Sequence, residues 1–201
     1  MAESTRRRLL PSTRSRLTGR RSQRGAVAVE AALITPIFVL LVFGIIEFGL
    51  MFKDYLAVVS SVRAGARIAS AEPRNINFAT DAAAQVAREG AALDMSNVTE
   101  LWVYKANKTT GTPVGYSDFS NCTTCVKFTW DNSSKTFVQK AGTNWLYTTQ
   151  NACAGDPNHD SIGVYVKYRH PSVTSLIVKD FDLQSSTVMS FEPQPQTSPC
   201  K

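Results

Sequence analysis

Glu30 and Glu47 sit inside "AVAVEAALITPIFVLLVFGIIEFGLMF", the apolar run from Ala26 to Phe52. A carboxylate held in hydrocarbon costs on the order of 3 kcal/mol or more unless it meets a partner or water. The chemistry such acids call for is therefore pairing with a partner or contact with water. The other candidates are few. His159 lies in "GDPNHD" and His170 ends a strand-like run before Pro171, and neither has metal-ligand or catalytic spacing to another group. "GDPNHD" lacks the alternating acids and closing glutamate of a calcium loop, so it reads as an ordinary turn. No glycine-rich phosphate loop, nucleophile elbow or paired-acid motif occurs. We expect no catalytic residue, no metal, no cofactor and no enzymatic activity.

The elements that must position the two acids begin with the run itself. Its 27 residues make about 40 Å of helix against about 30 Å of hydrocarbon. No second stretch approaches that length and apolarity. Residues 1–24 carry eight arginines against the single acid Glu3, and the remaining chain is close to neutral. The net charge of +6 thus belongs to a tail, with no basic stripe for nucleic acid elsewhere. Abutting an apolar run, an arginine-rich flank reads as a topogenic signal retained in the cytoplasm, while the downstream chain is translocated. Its composition reads as disordered. The expectation is a single-pass protein of the cell (inner) membrane with an extracytoplasmic C-terminal head. A cleaved secretory signal fits less well: its apolar region is normally about 7–15 residues, and "ASA" at 69–71 lies far beyond this one. A plain anchor leaves both glutamates unexplained.

Cleavage between Gly25 and Ala26 would make Ala26 a new amino terminus and Glu30 the fifth residue after it. This resembles the type IV prepilins, where a basic leader ends in glycine and the following helix bears a glutamate at its fifth place. The freed amine is cationic, and a carboxylate on a neighbouring subunit neutralises it in a filament core and sets axial register. More narrowly, the run and the following "VRAGARIAS" resemble the TadE-like family, minor pilins or pseudopilins of tight-adherence (type IVc, Flp-type) pili. Gly25, Glu30, Pro36, Glu47 and the stretch Arg63 to Arg67 carry the resemblance, which covers about residues 22–70. It implies a prepilin peptidase, other pilus subunits and the assembly machinery as partners, with Glu30 as the assembly residue. Glu47, about 100° away around a regular helix, would serve a different contact. The leader's length and the four cysteines are not part of that pattern.

Past Lys53 the helical signal continues. Ala57, Ser61, Gly65 and Ala69 form a small-residue stripe that lets another helix approach closely, or simply reflects an alanine-rich helix. Arg63 and Arg67 share one face and would meet lipid phosphate or an acid of a neighbouring subunit, a solvated face being the plainer reading. "EPRN" (72–75) breaks the helix, and a second helix is predicted over 78–93 with Thr80 as its N-cap. Strands follow at 98–106, 126–130, 135–141, 161–170 and 183–193, with "SLIVKDF" (175–181) ambiguous. Ile162, Val164, Val166 and Tyr168 should share a face. Together these predict an α+β protein: a long N-terminal transmembrane helix, a second helix and a small antiparallel β-sheet head, pilin-like in outline. The divisions expected are 1–25 leader, 26–53 transmembrane helix, 54–93 extension and second helix, and 94–201 head. Cys122, Cys125, Cys153 and Cys200 all fall outside the membrane in this topology, where two structural disulfides are expected, in any of three pairings. A redox pair or half a zinc site at "CTTC" lacks supporting context. The function expected is a minor pilin or pseudopilin. The alternative is a membrane-anchored extracytoplasmic binding protein.

Overall fold

The computed structural model describes residues 19–142, 144–173, 179–196 and 200, with side chains from Gly25 onward. The tail reading through residue 18, and "SLIVKDF" as far as 178, lie outside the described residues. The chain forms two compact units, one ending at Gly44 and the other spanning Ile45–Lys201.

Helix α1 (Gly19–Ala71) contributes to both units. In the first, its apolar side chains are uncovered: Leu33 and Ile37 are each 69 % exposed. A continuous apolar surface of this kind needs a partner other than water. Among the described residues α1 is the one helix long and apolar enough to cross a membrane. Pro36 lies within it without ending it, as membrane helices allow.

In the second unit the same helix becomes amphipathic. Val58, Val62, Ala66 and Ala69 are buried at the three- and four-residue spacing that places side chains on one face. Ser61 and Ser70, also buried, return their hydroxyls to the carbonyls of Val58 and Arg67 at 2.9 Å. The small-residue stripe is occupied from within the chain. A Cβ on Gly65 would stand 2.6 Å from Val86 Cγ2 and 3.2 Å from the Ala82 carbonyl of the next helix. Helix α1 ends at Ala71 because Pro73 disfavours helical backbone in the residue before it. The turn is pinned by Arg74, whose N–H donates to Gln150 Oε1 at 2.6 Å and whose guanidinium donates to the carbonyls of Thr148 and Gln150 at 2.9 Å.

Helix α2 (Phe78–Glu89) buries Phe78, Ala79, Ala82, Ala83 and Val86. It is shorter than predicted, and its N-cap is Asn77, not Thr80. Asn75 starts it, accepting the Asn77 N–H on its side chain at 2.9 Å and the Phe78 N–H on its carbonyl at 3.2 Å. At the other end, a Cβ on Gly90 would collide with Met95. The chain turns there, with the Leu93 N–H bonded to the Gly90 carbonyl.

Five antiparallel strands follow: β1 (Val98–Ala106), β2 (Cys125–Asp131), β3 (Thr136–Gln139), β4 (Ser161–His170) and β5 (Phe181–Ser190). Their order across the sheet is β3-β2-β1-β4-β5, with β1 and β4 central. Ile162, Val164, Val166 and Tyr168 do share a face, packed with Leu101, Val103 and the buried residues of α1 and α2. The opposite face is covered as well. Trp102, Tyr104 and Tyr165 form a second cluster with Cys122 and Cys125, and Phe119 stacks on Tyr165 at 4.1 Å. The fold is α+β: a long N-terminal apolar helix, a second helix, then a five-stranded antiparallel sheet, in a pilin-like arrangement.

Candidate functional site

Every residue expected to matter before the head lies on α1, and the helix treats its acids differently. Gly25, Ala26 and Glu30 are exposed. A Cβ on Gly25 would meet nothing within 4 Å, so the Gly25–Ala26 junction is uncrowded. Among the described residues no hydrogen bond or ion pair engages Glu30. It is a bare carboxylate on an apolar, uncovered helix.

Glu47 is only 3 % exposed. Its carboxylate accepts the backbone N–H of Val173, just past β4, at 3.0 Å on one oxygen and 3.3 Å on the other. Seven residues on, two helical turns along the same face, Asp54 is buried too. Asp54 Oδ2 accepts from His170 Nδ1 at 2.8 Å, and its other oxygen lies 3.2 Å from Lys53 Nζ. The two acids thus fasten the end of β4 to the helix. Charged or charge-assisted hydrogen bonds of this type contribute about 1.5–3 kcal/mol each. His170 Nε2, also buried, has no partner among the described residues. Sequence reasoning set Glu47 apart from Glu30 but missed Asp54, His170 and Val173, whose pairing spans more than a hundred residues.

Arg63 and Arg67 lie exposed on one side of α1, and no ion pair engages them among the described residues. The structure brings neither to Glu47. Cys122 is bonded to Cys125 and Cys153 to Cys200, and no described cysteine is free. The "CTTC" pair closes a small loop beside the aromatic cluster. The second bridge joins the 150s loop to the C-terminal segment, where the Gln194 N–H also donates to the Ala152 carbonyl and the Gln194 carbonyl accepts from the Ala154 N–H. Among the described residues no group of three His, Cys, Asp or Glu could hold a metal. In "GDPNHD" Asp156 accepts the Asn158 N–H at 2.8 Å, as a turn requires.

On the aromatic face Lys127 Nζ lies 3.9 Å over the Trp102 ring. Burial raises the Tyr104 phenol well above its ordinary range, and its hydroxyl donates to the Gly111 carbonyl at 2.6 Å. Tyr165 is pushed up to about 12, first by burial and then by the charges of Glu100 and Asp182. Both stay protonated hydrogen-bonding groups at any ordinary pH, which suits packing better than acid–base work.

No curated protein and no solved structure matches this chain. Residues 25–67 match the family model described as TadE-like protein, about a fifth of the sequence and all of it on α1. That match spans Gly25, Glu30, Pro36, Glu47, Arg63 and Arg67 together, so the helical segment 25–67 of this chain is similar to TadE-like proteins.

Proposed function

We propose that this protein is a minor pilin or pseudopilin that takes part in assembling a tight-adherence (type IVc) pilus. In this reading α1 holds it in the inner membrane, its basic leader is cytoplasmic, and its head is extracytoplasmic. It works as a structural subunit, with other pilus subunits, the assembly machinery and a prepilin peptidase as partners. Gly25–Ala26 is the processing junction. Arg63 and Arg67, exposed on the helix, are offered to neighbouring subunits.

One observation carries the reading. Glu30 is an exposed carboxylate, with no partner among the described residues, on an exposed apolar helix five residues beyond Gly25. Pairing with a neighbouring subunit's freed amine during assembly would offset much of its cost in lipid. The family match over 25–67 supports the same conclusion.

Intact-mass and N-terminal sequencing of the protein from its native membrane is the direct test. A chain beginning at Ala26 is expected. Glu30→Ala should then abolish co-purification with pilus components while leaving membrane insertion unchanged. An intact N-terminus, together with a Glu30→Ala variant that still assembles, would refute this reading and favour a membrane-anchored binding protein.

A further inference from the structure

Glu47 belongs to the apolar run and to the head at once. It lies five residues, about 7.5 Å of helix, before Phe52, yet it falls in the compact unit Ile45–Lys201. A 27-residue run exceeds the hydrocarbon thickness by about 10 Å, so with the run centred in the bilayer each end stands about 5 Å beyond the hydrocarbon. That puts Glu47 near the boundary between acyl chains and headgroups. Whatever is hydrogen-bonded to Glu47 shares its depth, and Val173 is bonded to it at 3.0 Å.

We infer that the β4–β5 end of the head is seated in the membrane's interfacial layer, taking phospholipid headgroups as its partner surface. The inference rests on the reading that α1 crosses a membrane. The surface has the composition such a layer selects. Val173 is 65 % exposed, and Phe181, opposite His170 in the sheet register, is 50 % exposed. At the same end α1 exposes the apolar rings of Phe48 and Phe52 and the amphipathic ring of Tyr55, and tyrosine is one of the two side chains that concentrate at this depth. Lys179, two residues before Phe181, is exposed, where a long amine reaches lipid phosphate while its stem stays in apolar surroundings. The nearby acids are engaged: Asp54 by His170 and Lys53, and Asp182 by Lys167 and Arg169 at 3.3 Å. Asp180 accepts the Ser172 N–H at 3.5 Å. The head therefore supplies the N–H that makes Glu47 tolerable, and in doing so is drawn down onto the bilayer.

The test uses the full chain in phosphatidylcholine–phosphatidylglycerol vesicles, with nitroxide labels on single introduced cysteines. The native cysteines are bonded to each other and do not compete for label. Val173→Cys and Phe181→Cys report the proposed contact, Asn158→Cys the far end of the sheet, and Ile37→Cys the middle of the span. Collision rates with oxygen and with a water-soluble nickel chelate give the depth of each. Labels at 173 and 181 should show an oxygen-to-nickel ratio several-fold above that at 158. In a Glu47→Ala background the ratio at 173 should fall towards that at 158, and Glu47→Gln should restore it. A label at 37 in hydrocarbon with those at 173 and 181 in water overturns the inference alone. A water-exposed label at 37 overturns the spanning reading and the inference with it. A ratio at 173 unmoved by Glu47→Ala overturns the tethering role of Glu47.

Discussion

Gly163 faces Tyr104 across the central β1–β4 ladder, and replacing it with alanine gives a sharp test of the packing. Backbone entropy alone says that Gly163→Ala should stabilise a strand by about 0.5–1 kcal/mol. Sterics say the reverse. A Cβ at 163 would overlap the outer ring atoms and hydroxyl of Tyr104, which is fully buried. The ring cannot swing aside without giving up its 2.6 Å bond to the Gly111 carbonyl and disturbing Phe119, 5.6 Å away edge-on. Overpacking costs about 1–3 kcal/mol and the lost hydrogen bond about 1 kcal/mol more. The net expectation is a loss of about 2–3 kcal/mol, or a drop in Tm of roughly 4–12 °C for a chain of this size. Thermal and urea unfolding of the full chain in detergent, followed by aromatic circular dichroism, measures it. The same substitution in a Tyr104→Val background removes the overlapping atoms, and there its cost should fall to about 0.5 kcal/mol or less. A neutral or stabilising Gly163→Ala, or an equal cost in both backgrounds, would refute the reasoning.

Asp54→Ala leaves buried His170 without a partner on either ring nitrogen among the described residues. It should cost about 1.5–3 kcal/mol in the same unfolding assay, with Asp54→Asn losing less. The Cys153–Cys200 bridge spans 47 positions and Cys122–Cys125 only 3. Chain-entropy scaling then gives about 4 against about 2 kcal/mol, so replacing the first pair with serine should lower the urea midpoint about twice as far as replacing the second. The buried phenols of Tyr104, Tyr165 and Tyr168 all hold their protons more tightly in the folded chain than the ordinary value of 10.0. Unfolding releases those protons more readily, so this contribution is complete below about pH 10 and is lost as pH rises further. Phenolate absorbance should rise together with unfolding, and Tyr165→Phe should lessen the alkaline loss of stability.

Much of this architecture was legible because the elements carry their own periods. The strands 98–106 and 161–170 were read to the residue, since turn residues and Pro171 bound them. From Ala26 onward the first helix announced itself by apolarity and then by spacing, whereas residues 19–24, read as part of a disordered tail, are its opening turns. Contacts between distant segments left no such trace. Nothing near Asp54 in sequence says that His170 will meet it, and nothing near Glu47 points to Val173. The stripe 57–69 advertised a close neighbour but not which one, and α2 of the same chain is packed against it at Gly65. "LWVY" at 101–104 is buried throughout, because both faces of the sheet are covered. A continuous apolar run in a central strand was the available signal. For the proposed processing and assembly residues, the order Gly25, Ala26, Glu30 was read from the sequence, and the structure adds that Glu30 is exposed.

The central ladder also bears on how the head comes to exist in time. Strand β1 pairs with β2, but its longer partnership is with β4, so Leu101 must find Val166 after the intervening hairpin has formed. Sheets held together by such remote pairings fold slowly, since the loop must close before the contacts reward it. Until β4 docks, Val173 and His170 are absent from α1, and Glu47 and Asp54 have no cover. The arrival of β4 fastens the helix at both acids at once, so completion of the helix's head-facing side waits on a pairing remote in sequence.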